Sequence, residues 1–306
     1  MTAPPRSAQL HPHRGVAVDL PGPDGPWAAL RADARPRRDD EPWDAVAVLV
    51  PGYSGSKEDF APLVDAVVDA GIAVLALDLP GQPGTPARPR EADHGPAELG
   101  APLADIVRAE AEAGRRVLLL GHSYGGFVAR AAVLAGAPVA GLTLLCSGPG
   151  ELPRGPRRTR LDVLEPILRR RDMAAVVALA EADRVAGGPG ADAPDPAVAG
   201  YLRARLAASS PVALLGEGAA LRSEPDRVPE LAARLRGRGT GVLVVCGAAD
   251  DAWPVTTQRT MADRLDAEFA AVPGAGHTPN VENPGALLDV LVPTWRTWLR
   301  ETTLEP

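Results

Sequence analysis

Six short apolar runs, separated in the main by helix-forming stretches, restrict this chain more than any other feature. Residues 45–50, 72–77, 116–120, 142–145, 242–246 and 268–272 are rich in Val, Leu and Ala. Runs of this length with little polar alternation read as strands buried on both faces, and strand–helix alternation joins such strands in parallel. The expected fold class is therefore α/β, a mostly parallel central sheet covered by helices on both faces. Two earlier segments, 16–20 and 27–34, flank Pro21-Gly22-Pro23-Asp24-Gly25. Those residue types force a turn, so the two segments predict an antiparallel start to the sheet. In an open sheet of this kind, function belongs at the carboxyl ends of the strands.

At one such end lies Leu120-Gly121-His122-Ser123-Tyr124-Gly125-Gly126, between an apolar run and an Ala-rich helical stretch. A sharp strand-to-helix turn holds its central residue in a strained conformation, and the residues two before and two after must be small, here Gly121 and Gly125. Ser123 is then presented at a helix N-terminus, where free N–H groups favour developing negative charge. The plainer alternative is an ordinary turn in which Ser123 caps a helix.

A serine hydroxyl is a poor nucleophile unless a histidine base and an orienting carboxylate accompany it. The chain has five histidines. His11 and His13 lie in a Pro-rich start, His94 in a polar loop, and His122 adjoins the serine and cannot easily turn back onto it. His277 remains, in a loop of small residues after the strand 268–272. The carboxylate is expected between Ser123 and His277 at the end of a buried strand. Asp250 and Asp251 both follow the strand 241–247; the spacing from Gly247 to Pro254 favours Asp250, with Asp251 in reserve. Val50-Pro51-Gly52-Tyr53-Ser54-Gly55-Ser56 follows another strand and can aim the Tyr53 amide at a carbonyl beside Ser123. The Tyr124 amide would be the second donor of an oxyanion hole.

With these segments in this order, the chain resembles the α/β-hydrolases over nearly its whole length, roughly residues 16–299. The order Ser, Asp, His is that family's order. The resemblance implies Ser123 as nucleophile, Asp250 as acid, His277 as base, and the Tyr53 and Tyr124 amides as oxyanion hole. Asp78-Leu79-Pro80-Gly81 is similar to the family's Asp-x-x-Gly turn, but Gly81-Gln82-Pro83-Gly84-Thr85-Pro86 departs from the usual Gly-x-Gly-x-Ser run. Pro51-Gly52 also stands where many relatives have His-Gly. The implied activity is hydrolysis of a carboxylic ester or thioester through an acyl-enzyme, with no cofactor and no metal. The same scaffold also serves lyases or synthases, cofactor-free haloperoxidases and ligand-binding receptors.

The interval 149–236 has helical patches and no strong strand, so it is expected to be a helical lid inserted after the sixth strand. Residues 1–148 and 237–306 would form the core. The segment 187–196, dense in Gly and Pro, divides the lid and is expected to be mobile. Arg154, Arg157, Arg158, Arg160 and Arg169-Arg170-Arg171 make the first half of the lid basic. Either they attract an anionic or carrier-linked acyl substrate, or they form a solvated face, since Asp162, Glu165 and Asp172 interleave with them. Aromatics make up 4% of the chain, so the expected pocket is aliphatic, with Tyr53, Tyr124, Tyr201 and Trp253 as the few aromatic candidates.

A net charge of −7 disfavours nucleic acid as a partner. No apolar run approaches the ~20 residues of a membrane helix and the start lacks signal-peptide order, so a soluble cytoplasmic protein is expected. Cys146 and Cys246 close two strands that the family order would place side by side, and they read as reduced, buried thiols. Trp295 and Trp298, on the amphipathic stretch 284–300, read as packing against the sheet.

Overall fold

In the computed structural model of the protein, which describes residues 8–34, 44–186 and 195–301, eight strands form one sheet. They are β1 (Val16–Leu20), β2 (Trp27–Ala32), β3 (Ala45–Val50), β4 (Ala73–Leu77), β5 (Arg116–His122), β6 (Gly141–Leu145), β7 (Gly241–Gly247) and β8 (Glu268–Val272). Their order is β1-β2-β4-β3-β5-β6-β7-β8. β2 pairs antiparallel with both β1 and β4, and every pairing from β4 onward is parallel. The antiparallel start and parallel remainder match the reading of the sequence. β2 stops two residues sooner than expected, and β5 runs two residues further, into the serine turn.

Side-chain parity along β3 shows why the sheet needs cover on both sides. Val46, Val48 and Val50 face one core, with α2 (Pro96–Glu112), α3 (Tyr124–Leu134), α8 (Val228–Leu235) and α9 (Val255–Leu265). Ala45, Ala47 and Leu49 face the other, with α1 (Ala61–Asp69) and α11 (Pro284–Glu301). All six are buried, as a strand between two helical layers requires.

Trp298 of α11 lies across Gly141 and Gly241, which pair between β6 and β7. A Cβ on Gly141 would come within 2.2 Å of its ring, and one on Gly241 within 2.3 Å. Trp295 donates from Nε1 to Thr143 Oγ1 at 3.0 Å. Both tryptophans therefore pack on the sheet. Cys146 and Cys246 are buried free thiols, and burial pushes both upward from the ordinary thiol pKa, Cys246 to about 11.

Between β6 and β7 lie α4 (Pro156–Arg169), α5 (Met173–Ala186), α6 (Pro196–Ala208), α7 (Pro211–Ser223) and α8. Leu164, Leu168, Val176, Leu214 and Leu215 give this insertion a small apolar core of its own. Of the dividing segment 187–196, residues 187–194 lie outside the described residues. Among the described residues, no helix is long and apolar enough to cross a membrane.

Candidate active site

β5 hands over to α3 at Ser123, whose φ of 54° and ψ of −119° are strained for a residue with a side chain. The turn is tight enough to exclude any Cβ around it. One on Gly121 would lie 2.3 Å from the Gly125 carbonyl oxygen, and one on Gly125 2.4 Å from the carbonyl oxygens of Val50 and Pro51. The Ser123 amide donates to Leu145 at 2.8 Å, tying the turn to the neighbouring strand.

Three distant segments meet at this hydroxyl. His277 Nε2 lies 2.9 Å from Ser123 Oγ, and His277 Nδ1 lies 2.9 Å from Asp250 Oδ1. The three residues are between 7% and 9% exposed, so the hydrogen-bonded chain is largely withdrawn from water. Asp250 also accepts from the Ala252 amide at 2.9 Å and from Gln258 Nε2 at 2.8 Å. Burial pushes the Asp250 carboxyl upward, but His277, the Ala252 amide and Gln258 outweigh it and hold the group below its ordinary value. The carboxylate is therefore ionised at neutral pH. Asp251, the reserve candidate, is exposed and pairs instead with Arg157 at 2.6 Å.

The loop that carries His277 is held from several sides. His122 Nε2 donates to the His277 carbonyl at 2.8 Å, and burial together with the nearby His277 pushes the His122 pKa down to about 4. His122 is thus a neutral brace for the His277 backbone. Glu282 accepts from the amides of Gly276 and Thr278, on either side of His277. Asn280 Nδ2 donates to the Asp59 carbonyl at 2.8 Å.

The loop after β3 comes close to Ser123, for a Cβ on Gly52 would stand 3.0 Å from Ser123 Cβ. Gly52 accepts from the Gly55 amide at 3.0 Å and from Gln82 Nε2 at 3.0 Å, while Ser54 takes a left-handed φ of 54°. Gln82 lies in the segment that departs from the Gly-x-Gly-x-Ser run, and its side chain holds this loop. Tyr53 lies in it beside Ser123, and the Tyr124 amide opens α3, where the first N–H groups have no intrahelical partner.

A cavity of about 340 Å³ opens over Ser123 and His277, and its apolar wall comes from Leu152, Leu161, Leu164, Leu214 and Leu221. Of the four aromatic candidates only Tyr53 lines it. The Tyr124 hydroxyl donates to the His94 carbonyl at 2.5 Å, Trp253 Nε1 to Gly150 at 3.1 Å, and the Tyr201 hydroxyl to Glu58 at 3.1 Å. His94, expected in a polar loop, is instead fully buried in a short 3-10 helix, Glu91–His94.

Much of the basic stretch is neutralised. Arg157 pairs with Asp251, Arg158 with Glu151, Arg160 with Asp183, and Arg169 with Glu165 and Glu91. Of these four, Arg157 and Arg160 also border the cavity. His122, Cys146 and His277 bring possible metal-ligand atoms within 4.8 Å of one another, as do Asp250, Asp251 and His277. Both sets use His277, so a cation at either would compete with its bonds to Ser123 and Asp250.

A family model described as the alpha/beta hydrolase family matches residues 47–290. A carboxylesterase structure from the thaumarchaeon Nitrososphaera gargenis is 19% identical, covers 93% of this chain and 100% of its own, and has a TM-score of 0.69. An esterase from Thermogutta terrifontis is 20% identical, with 94% and 99% covered and a TM-score of 0.67. The enol-lactonase of Burkholderia xenovorans LB400 is 18% identical, with 91% and 100% covered and a TM-score of 0.69. Comparison with curated proteins gives no match. At these identities the structural neighbours establish a shared fold.

Proposed function

This chain belongs to the α/β-hydrolase family, and from that membership we propose that it is a serine hydrolase cleaving a carboxylic ester or thioester through an acyl-enzyme. The observation that carries the reading is His277 bridging Ser123 and Asp250, at 2.9 Å on each side, on the floor of a cavity. His277 takes the Ser123 proton as Oγ attacks the substrate carbonyl. Asp250 holds the imidazole with Nδ1 protonated and stabilises the imidazolium that forms. The amides of Tyr53 and Tyr124 receive the oxyanion, and loss of one such donor typically costs ~3–4 kcal/mol of barrier. The imidazolium then protonates the departing alcohol or thiol. Water, deprotonated by His277, releases the acid and regenerates Ser123.

In this reading residues 149–236 are a lid on a core made of 1–148 and 237–306, and the leucines of α4 and α7 favour a small aliphatic acyl group. The carboxylesterase and lactonase chemistry named for the structural neighbours is compatible with such a site. Intact-protein mass spectrometry after a fluorophosphonate probe tests it. A single adduct on the wild type that vanishes in Ser123→Ala is expected, together with turnover of short p-nitrophenyl esters. An unlabelled wild type would refute the reading and favour a lyase or synthase, a cofactor-free haloperoxidase or a receptor.

A further inference from the structure

Asp59 lies outside the triad, yet four segments converge on it. It is buried, and its Oδ2 accepts from the Ser56 amide at 3.1 Å, at the end of the loop that carries Tyr53. Its Oδ1 receives Arg205 Nη1 of α6 at 2.6 Å and Gln9 Nε2 at 3.3 Å. Its carbonyl accepts from Asn280, three residues beyond His277. One residue thus touches the loop beside the nucleophile, the base segment, the N-terminal segment and the helical insertion.

The insertion holds this loop at a second point. Tyr201 precedes Arg205 by four residues, which puts both on one face of α6. Its hydroxyl lies 3.0 Å from Ser56 Oγ and 3.1 Å from Glu58 Oε2. The loop so gripped carries Ser54 in a left-handed conformation, a strain that persists only where the surroundings over-determine it. A buried carboxylate without its counter-charge is costly, so Asp59 can hold the Ser56 amide cheaply only while Arg205 is seated.

Resting on the reading of Tyr53 as an oxyanion donor, we propose that Asp59 and Arg205 are positioning residues that set the oxyanion loop, so that the hole is complete only when α6 is docked. Neither touches the reacting atoms; both act through the Ser56 amide and the turn before it. An oxyanion donor helps only near 2.7–3.1 Å from the charge it receives, so a loosened loop weakens the transition state more than the ground state.

The test compares wild type with Arg205→Met, Arg205→Lys and Tyr201→Phe, each counted by fluorophosphonate-labelled Ser123. Kinetics use p-nitrophenyl butyrate, and the hole is probed with butylboronic acid, whose tetrahedral adduct places an oxygen there. Arg205→Met is expected to lower kcat by ~10–100-fold with KM nearly unchanged, and to weaken the boronate by a similar factor. Arg205→Lys should recover most of both, and Tyr201→Phe should show a smaller loss in both. Tyr201→Phe removes a single hydroxyl, so it carries the test even where Arg205→Met folds poorly. Kinetics and boronate affinity at wild-type values, or a loss confined to KM as for a simple cover, would overturn the proposal. Failure of the wild type to label would instead count against the serine-hydrolase reading.

Discussion

Gly247 is the most exposed point in the logic of the site, because the strand end that leads to Asp250 and the loop that carries His277 cross there with no room between them. A Cβ built on Gly247 would stand 1.8 Å from the Gly276 carbonyl oxygen and 2.5 Å from that of Ala275. Real Cβ contacts do not fall below 3.0 Å, so Gly247→Ala obliges one backbone segment to retreat by at least the 1.2 Å difference. Both obstructing atoms are backbone, so no side-chain rotation relieves the clash. The Gly276 carbonyl is joined directly to the His277 amide. A retreat of this size stretches the 2.9 Å contact between His277 and Ser123 toward ~4 Å, beyond hydrogen-bond range. Misplacement by about 1 Å costs ~100-fold in rate, and overpacking of this kind ~1–3 kcal/mol in stability. At ~2–4 °C per kcal/mol for a large domain, Tm should fall by ~2–12 °C. The assay is kcat/KM with p-nitrophenyl butyrate, corrected for labelled Ser123, alongside thermal unfolding by circular dichroism. Gly285→Ala is the control, for a Cβ there meets nothing within 4 Å. A Gly247→Ala protein within about threefold of wild type would refute the claim that this crossing positions His277.

Gln258→Leu removes a donor from ionised Asp250, and losing a hydrogen bond to a buried charge should cost ~1.5–3 kcal/mol. Because the Asp250 pKa is lowered in the folded state, its contribution is complete above the ordinary 3.8 and is lost as pH falls through the lower native value. The Tm gap between variant and wild type should therefore hold steady above pH 3.8 and shrink below it; a pH-independent gap would assign Gln258's contribution to packing and to its bond with the Trp253 carbonyl, not to Asp250. Glu217 shows the opposite sign: it is buried on α7, its Oε2 has no partner among the described residues, and burial pushes its carboxyl well above the ordinary 4.5. The Glu217 contribution is then most favourable below pH 4.5 and falls as pH rises toward the native value, so Glu217→Gln should gain Tm over wild type progressively above pH 4.5. A constant difference across a pH 4–9 unfolding series would sink that account.

What the sequence determined by itself is what neighbouring residues decide among themselves. Runs such as Val46 to Val50 have to be strands buried on both faces, and glycines on either side of Ser123 permit a turn that other residues forbid. Few histidines made His277 identifiable by elimination, and the apolar segments around β6 and β7 bracketed the helical insertion. The tertiary structure decided everything that depends on approach between distant segments. Asp250 and Asp251 are adjacent and chemically identical, and only the direction of the chain leaving β7 turns one toward His277 and the other toward Arg157. His122 and Asn280 carry no local signal, because their partners lie 155 and 221 residues away, and Arg205 reaches Asp59 across 146 residues. The sheet order is likewise non-local, for β3 lies between β4 and β5 only once the crossover helices have packed on both faces. Local conformational preference sets the strands and the strained turn, whereas the geometry that could make Ser123 reactive arises from the burial of polar groups that only the folded chain brings within reach.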